Sequence, residues 1–147
     1  ANITTDVVTA STGAVTIDAD LAATSTVTIN DDVTAGTSVT INATATNGSA
    51  GQVDINDAAG TVIDANGGNV SITATAATTP AGTVNQDVGT DIQATADVDI
   101  DAATLVNLDG TIGAVMAIGG HTNINQALPG AVTIDVNEHA NGSFNIS

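Results

Sequence analysis

Lysine and arginine are absent from the 147 residues, against 16 acidic ones, so the formal net charge is −16. Without cationic side chains there is nothing to neutralise phosphates, which excludes nucleic-acid binding. An anionic membrane surface repels such a chain. Lys/Arg salt bridges, Schiff-base chemistry and lysine isopeptide cross-links are excluded for the same reason. Cysteine is also missing, so there is no disulfide framework and no thiol chemistry. Phe144 is the one aromatic residue and Met116 the one methionine. Ordinary cores draw much of their buried area from large rings. Here hydrophobic residues make up 42% of the chain, and they are Val, Ile, Leu and Ala. That suits a thin structure that packs the same small shapes repeatedly. No apolar run is long enough to span a membrane. The chain begins at Ala1 without a signal-peptide pattern, which reads as a processed chain or a piece of a longer one.

A short phrase recurs through the sequence. Val15-Thr16-Ile17-Asp18, Val27-Thr28-Ile29-Asn30 and Val39-Thr40-Ile41-Asn42 begin 12 residues apart. Val53-Asp54-Ile55-Asn56, Val70-Ser71-Ile72-Thr73, Val98-Asp99-Ile100-Asp101 and Val132-Thr133-Ile134-Asp135 follow at wider intervals. Val84-Asn85-Gln86-Asp87 is a degenerate copy, and Phe144-Asn145-Ile146-Ser147 closes the series. Apolar β-branched residues alternate with Thr, Ser, Asp or Asn, the period-2 pattern of a half-buried strand. Asn-Gly, Gly-Gly and Pro-Gly pairs between copies mark turns, and long helix formers are scarce. The chain reads as one all-β domain over 1–147. Residues 110–131 are more apolar and Gly-rich, and read as a cap, an insertion or a contact surface.

Two architectures fit. A fixed strand phrase repeated along the chain predicts a parallel β-helix, or β-solenoid, in which like residues stack on like in coils of about 20–28 residues. Short strands with regular turn signals also fit an antiparallel β-sandwich with strand-exchange termini. The lack of core Trp or Tyr favours the solenoid; the irregular intervals between copies favour the sandwich.

The stretches ITTDVVTASTGAVTIDADLAATSTVTINDDVTAGTSVTINA, GGNVSITATAATT and ATADVDIDAATLVNLDGTIGA resemble the β-helical repeat regions of large secreted microbial surface proteins. These are the filamentous-haemagglutinin-type adhesins and S-layer-like fibre proteins. The resemblance covers most of residues 3–114 and is one of style, without a diagnostic motif. It implies a right-handed parallel β-helix, export to the cell surface, and an adhesive or structural role.

Asp97, Asp99 and Asp101 alternate along one strand and so share a face, about 6–7 Å apart by strand rise. With Asp91 from a neighbouring stretch they are a candidate Ca²⁺ site, because hard cations take several oxygen ligands. His121, His139 and Glu138 carry no spacing motif and read as polar surface. No nucleophile elbow, Walker loop or dinucleotide glycine motif is present, so the chain reads as non-enzymatic. Sequons occur at Asn2, Asn42, Asn47, Asn69, Asn141 and Asn145, candidate glycosylation sites in an exported chain.

Together these features predict an extracellular structural protein: a self-associating subunit or segment of a surface filament, sheath, biofilm matrix or adhesin. The alternative is a calcium-stiffened β-sandwich module of a giant adhesin. The expected partners are further copies of the chain, cations and surface glycans. Unpaired strand edges are templates for association. The candidate self-association residues are Asn2, Ile3, Val7 and Val8 at one end and Phe144 and Ile146 at the other. Ile112, Val115 and Ile118 are a candidate receiving surface.

Overall fold

The computed structural model describes residues 2–21, 23–46, 50–56, 60–76, 81–96, 98–108, 111–112, 123–124, 132–136 and 143–146. Within them the chain winds as a three-sided β-solenoid. Sheet A holds β1 (Asn2–Thr5), β4 (Thr24–Ile29), β7 (Ala50–Ile55), β10 (Gly82–Gln86), β13 (Leu105–Leu108) and β17 (Ser143–Ile146). Sheet B holds β2 (Val8–Ala10), β5 (Val33–Ala35), β8 (Val62–Ala65), β11 (Asp91–Ala94), β14 (Thr111–Ile112) and β15 (Asn123–Ile124). Sheet C holds β3 (Val15–Leu21), β6 (Val39–Ala45), β9 (Val70–Ala76), β12 (Val98–Ala102) and β16 (Val132–Val136). Each of the first four coils contributes one strand to each sheet in the order A, B, C. The pairings are parallel. That is the solenoid expectation, and it overturns the antiparallel sandwich.

Register explains the repeated phrase. In sheet C, Val15, Val39, Val70, Val98 and Val132 are aligned, as are Ile17, Ile41, Ile72, Ile100 and Ile134. In sheet A the aligned positions are Ile3, Val27, Val53, Val84, Val106 and Phe144. The phrase therefore alternates between two sheets, and the 12-residue interval is half a coil. Coil length is set by what lies between the ladders. It runs 24 residues from Val15 to Val39, 31 from Val39 to Val70 and 28 from Val70 to Val98. The longest exceeds the expected range. The ladders cannot shift without turning apolar residues outward, so extra residues go into the corners. The A–B corner is three residues between Ile29 and Val33 but six between Ile55 and Val62.

The core is the stacked interior of the coils. Val27, Ile29, Val39, Ile41, Val53, Ile55, Val70 and Ile72 are all completely buried. Because most side chains there meet the same or a similar aliphatic residue above and below, no large ring is needed to fill the space. Ser25, Thr61, Gln86 and Thr90 are buried polar residues, and Gln86, 2% exposed, interrupts the ladder between Ile55 and Leu108. It donates through Nε2 to the Thr90 carbonyl at 3.2 Å.

Corners are folded by Asx and Thr side chains, as their short hydrogen-bonding groups favour. Asp31 Oδ1 accepts from the Asp32 N–H at 2.8 Å, and Asp32 Oδ1 accepts from the Val62 N–H of the next coil at 2.9 Å. Asn56 Nδ2 donates to Asn30 Oδ1 at 2.8 Å, tying one corner to the next. Thr90 Oγ1 donates to the Asp87 carbonyl at 2.8 Å, beside Gly89 at φ 82°.

Within 110–131, the described residues lie on sheet B. β14 pairs with β11, and β15 then pairs with β14. The chain thus lays two successive strands on sheet B before entering sheet C as β16.

Candidate functional site

The outer faces carry the polar partner of each Val and Ile. On sheet A, Thr28, Asp54, Asn85, Asn107 and Asn145 are aligned. Asn107 Nδ2 donates to Asn85 Oδ1 at 2.8 Å, and Asn85 Nδ2 donates to Asp54 Oδ1 at 2.7 Å. Gln52 Nε2 reaches both oxygens of Asp54, at 2.9 and 2.8 Å. Amide groups thus do here what Lys or Arg does elsewhere: they place N–H donors against a carboxylate.

Most strand aspartates are kept apart by register. Asp18 is aligned with Asn42, Asp20 with Thr44, Asp64 with Thr34 and Gln93, and Asp99 with Ser71 and Thr133. Neutral neighbours reduce the cost of like charges on adjacent strands. Asp101 aligns instead with Thr73 on one side and Asp135 on the other.

This arrangement bears on the calcium expectation. Asp99 and Asp101 do share the outer face of β12. Asp91 sits on β11 in a different sheet, aligned with Val62 and Thr111, so it is not brought alongside them by a neighbouring coil. Asp97 lies outside the described residues. Among the described residues no three His, Asp or Glu side chains converge as a metal site.

The two ends of the stack gather most of the expected association residues. β1, β2 and β3 are the first strands of their sheets, and β17, β15 and β16 the last. Asn2 is exposed, and Ile3 and Val8 are half-buried, with Ile3, Val8 and Ala10 packed onto the core. Val7 is 61% exposed at the corner between β1 and β2. Phe144 and Ile146 lie on β17, in register with Val106 and Leu108. Ile112 corrects the expectation. It is fully buried on β14 between β11 and β15, so it belongs to the core and cannot be a receiving surface. Val115 and Ile118 lie outside the described residues.

Of the sequons, Asn2 and Asn69 are exposed, Asn42 is half-buried on the outer face of β6, and Asn145 lies on β17. Asn47 and Asn141 lie outside the described residues, as do His121, Glu138 and His139.

Sequence reasoning missed the sheet-B strands. Val8-Thr9-Ala10, Val33-Thr34-Ala35, Ile63-Asp64-Ala65 and Ile92-Gln93-Ala94 stack on one another. Their signal was the apolar–polar–Ala triplet that follows each sheet-A phrase after a short corner. The sheet-A copy Val106-Asn107-Leu108 was missed because Leu replaces Ile. No protein family, curated protein or solved structure matches the chain.

Proposed function

We propose that the chain is a non-enzymatic structural protein of the cell exterior: a self-associating subunit or segment of a surface filament, sheath or adhesin. The observation that supports it is the open stack. Among the described residues, no strand covers the outer edges of β1, β2 and β3, nor those of β15, β16 and β17. Parallel sheets leave unpaired N–H and C=O groups at both outer edges, and such edges recruit further strands. The outer faces support the same reading. Their Thr, Asn and Asp side chains lie in ladders and corners, and the strong negative charge keeps lateral contacts weak at low salt.

The test is electron microscopy with light scattering on the purified chain, at moderate salt and over a concentration series. Linear assemblies that lengthen with concentration are expected. Dispersed single particles at every concentration would end the structural-polymer reading.

A further inference from the structure

The outer edge of a parallel strand is decided by alternation, because each residue turns its own N–H and C=O to one neighbour and the next residue turns them to the other. In this solenoid the inward-pointing residues bond to the following coil. Val8 N–H donates to the Asp32 carbonyl at 2.9 Å, and the Ala10 carbonyl accepts from the Gly36 N–H at 2.7 Å. The Thr5 carbonyl accepts from the Asn30 N–H at 3.2 Å. Hence the N–H and C=O groups of the outward-pointing Asn2, Thr4 and Thr9 face away from the stack. At the distal end the alternation is reversed. Phe144 and Ile124 are in register with the buried Val106 and Ile112, and by the same alternation it is the backbone groups of Phe144 and Ile124 that face the open side.

The two ends are therefore unlike and complementary. We propose that the edge formed by β1 and β2 receives the edge formed by β17 and β15 of a second copy, in parallel register, with Ile3 on Phe144 and Val8 on Ile124. The Thr4 N–H then donates to the Phe144 carbonyl, and the Thr9 N–H to the Ile124 carbonyl. The Val/Ile ladders of sheets A and B continue across the joint without a break in register. Ladder exposure agrees with an open proximal end: Val15 is 6% and Ile17 7% exposed, whereas Val39 and Ile41 one coil further in are fully buried. Such a contact is heterologous and does not close on itself, so it propagates as a filament.

The segment after β14 acquires a role. β15 raises sheet B to the level of β17, whereas sheet C, among the described residues, ends one strand earlier at β16. Without β15, β17 would stand alone at the distal end, and only β1 could pair with it directly.

The inference rests on the self-association proposed above, and its test separates the two. The joint places positions 4 and 145 side by side, at a strand spacing of about 4.8 Å, which a disulfide can span. The full chain has no cysteine, so Thr4→Cys and Asn145→Cys proteins can be mixed and oxidised without background. Cross-linked heterodimer in the mixture, with little in either protein alone, is expected. Dimer from Thr4→Cys alone would overturn the inference in favour of a two-fold contact. Assemblies that form but never cross-link would overturn it while leaving self-association standing. In parallel, Thr9→Pro removes an N–H that the subunit's own ladder does not use, which an edge strand tolerates. At least a tenfold rise in the concentration needed for assembly is expected, with an unchanged circular-dichroism spectrum. Unaltered assembly would also overturn the inference. If the chain stays monomeric throughout, both readings fail together.

Discussion

Asn85 donates to the Asp54 carboxylate at 2.7 Å across neighbouring coils while accepting from Asn107 at 2.8 Å. One amide thus separates two positions and relieves a charge that no lysine or arginine can reach. Replacing Asn85 with Asp sets two carboxylates side by side on sheet A. The expected cost is about 1 kcal/mol at low salt, and it should shrink as sodium chloride is added, because exposed charges are screened. Urea unfolding at several salt concentrations measures this. A loss independent of salt would mean that the ladder acts through shape alone.

Ile72 is completely buried between Ile41 and Ile100 in the sheet-C ladder. Ile72→Ala opens a cavity that the aligned neighbours cannot fill without losing register. We expect a loss of about 2–5 kcal/mol, and about 0.5–1.5 kcal/mol for Ile72→Val. Thermal or denaturant unfolding of the two variants gives the ratio.

Gly82 faces the backbone of β9 and of the residue that follows β12. A Cβ there would run into the Ala74 carbonyl and the Ala103 nitrogen. Gly82→Ala should therefore cost about 1–3 kcal/mol through forced backbone movement. Gly13→Ala, where a Cβ meets nothing within 4 Å, should stay within about 0.5 kcal/mol. Equal effects at the two positions would show that the close approach at Gly82 relaxes freely.

A net charge of −16 with no lysine or arginine opposes the compact state through self-repulsion. Melting temperature should rise steadily from 10 to 500 mM sodium chloride. A further, saturable gain at micromolar calcium over a constant salt background, lost in Asp99→Asn, would place a cation site on the outer face of β12. The absence of such a gain would leave screening as the sole cation effect.

Most strands of sheets A and C were legible because Val-x-Ile alternation writes the inside and outside of a strand directly into the chain. Val15 to Asp18 and Val39 to Asn42 were each readable as strands, and both lie in the stack as such. The sheet-B strands were not legible, since three residues such as Val33-Thr34-Ala35 carry too little periodicity to stand out from a turn. The candidate calcium site was half legible. Local alternation placed Asp99 and Asp101 on one face, but the position of Asp91 depends on where the corner between β11 and β12 turns the chain.

What the sequence determined by itself was the type of structure: stacked strands with small aliphatic interiors, polar outer faces and no lysine or arginine partner for any carboxylate. These follow from composition and from a period of two, which are local properties. What only the tertiary structure decided was the count of strands per coil, the alternation of the repeated phrase between two sheets, and the level at which each sheet ends. Those depend on corner length and on pairing between residues 12 to 38 positions apart. Such pairing is set by the cost of shifting all ladders together, and no single segment expresses that cost.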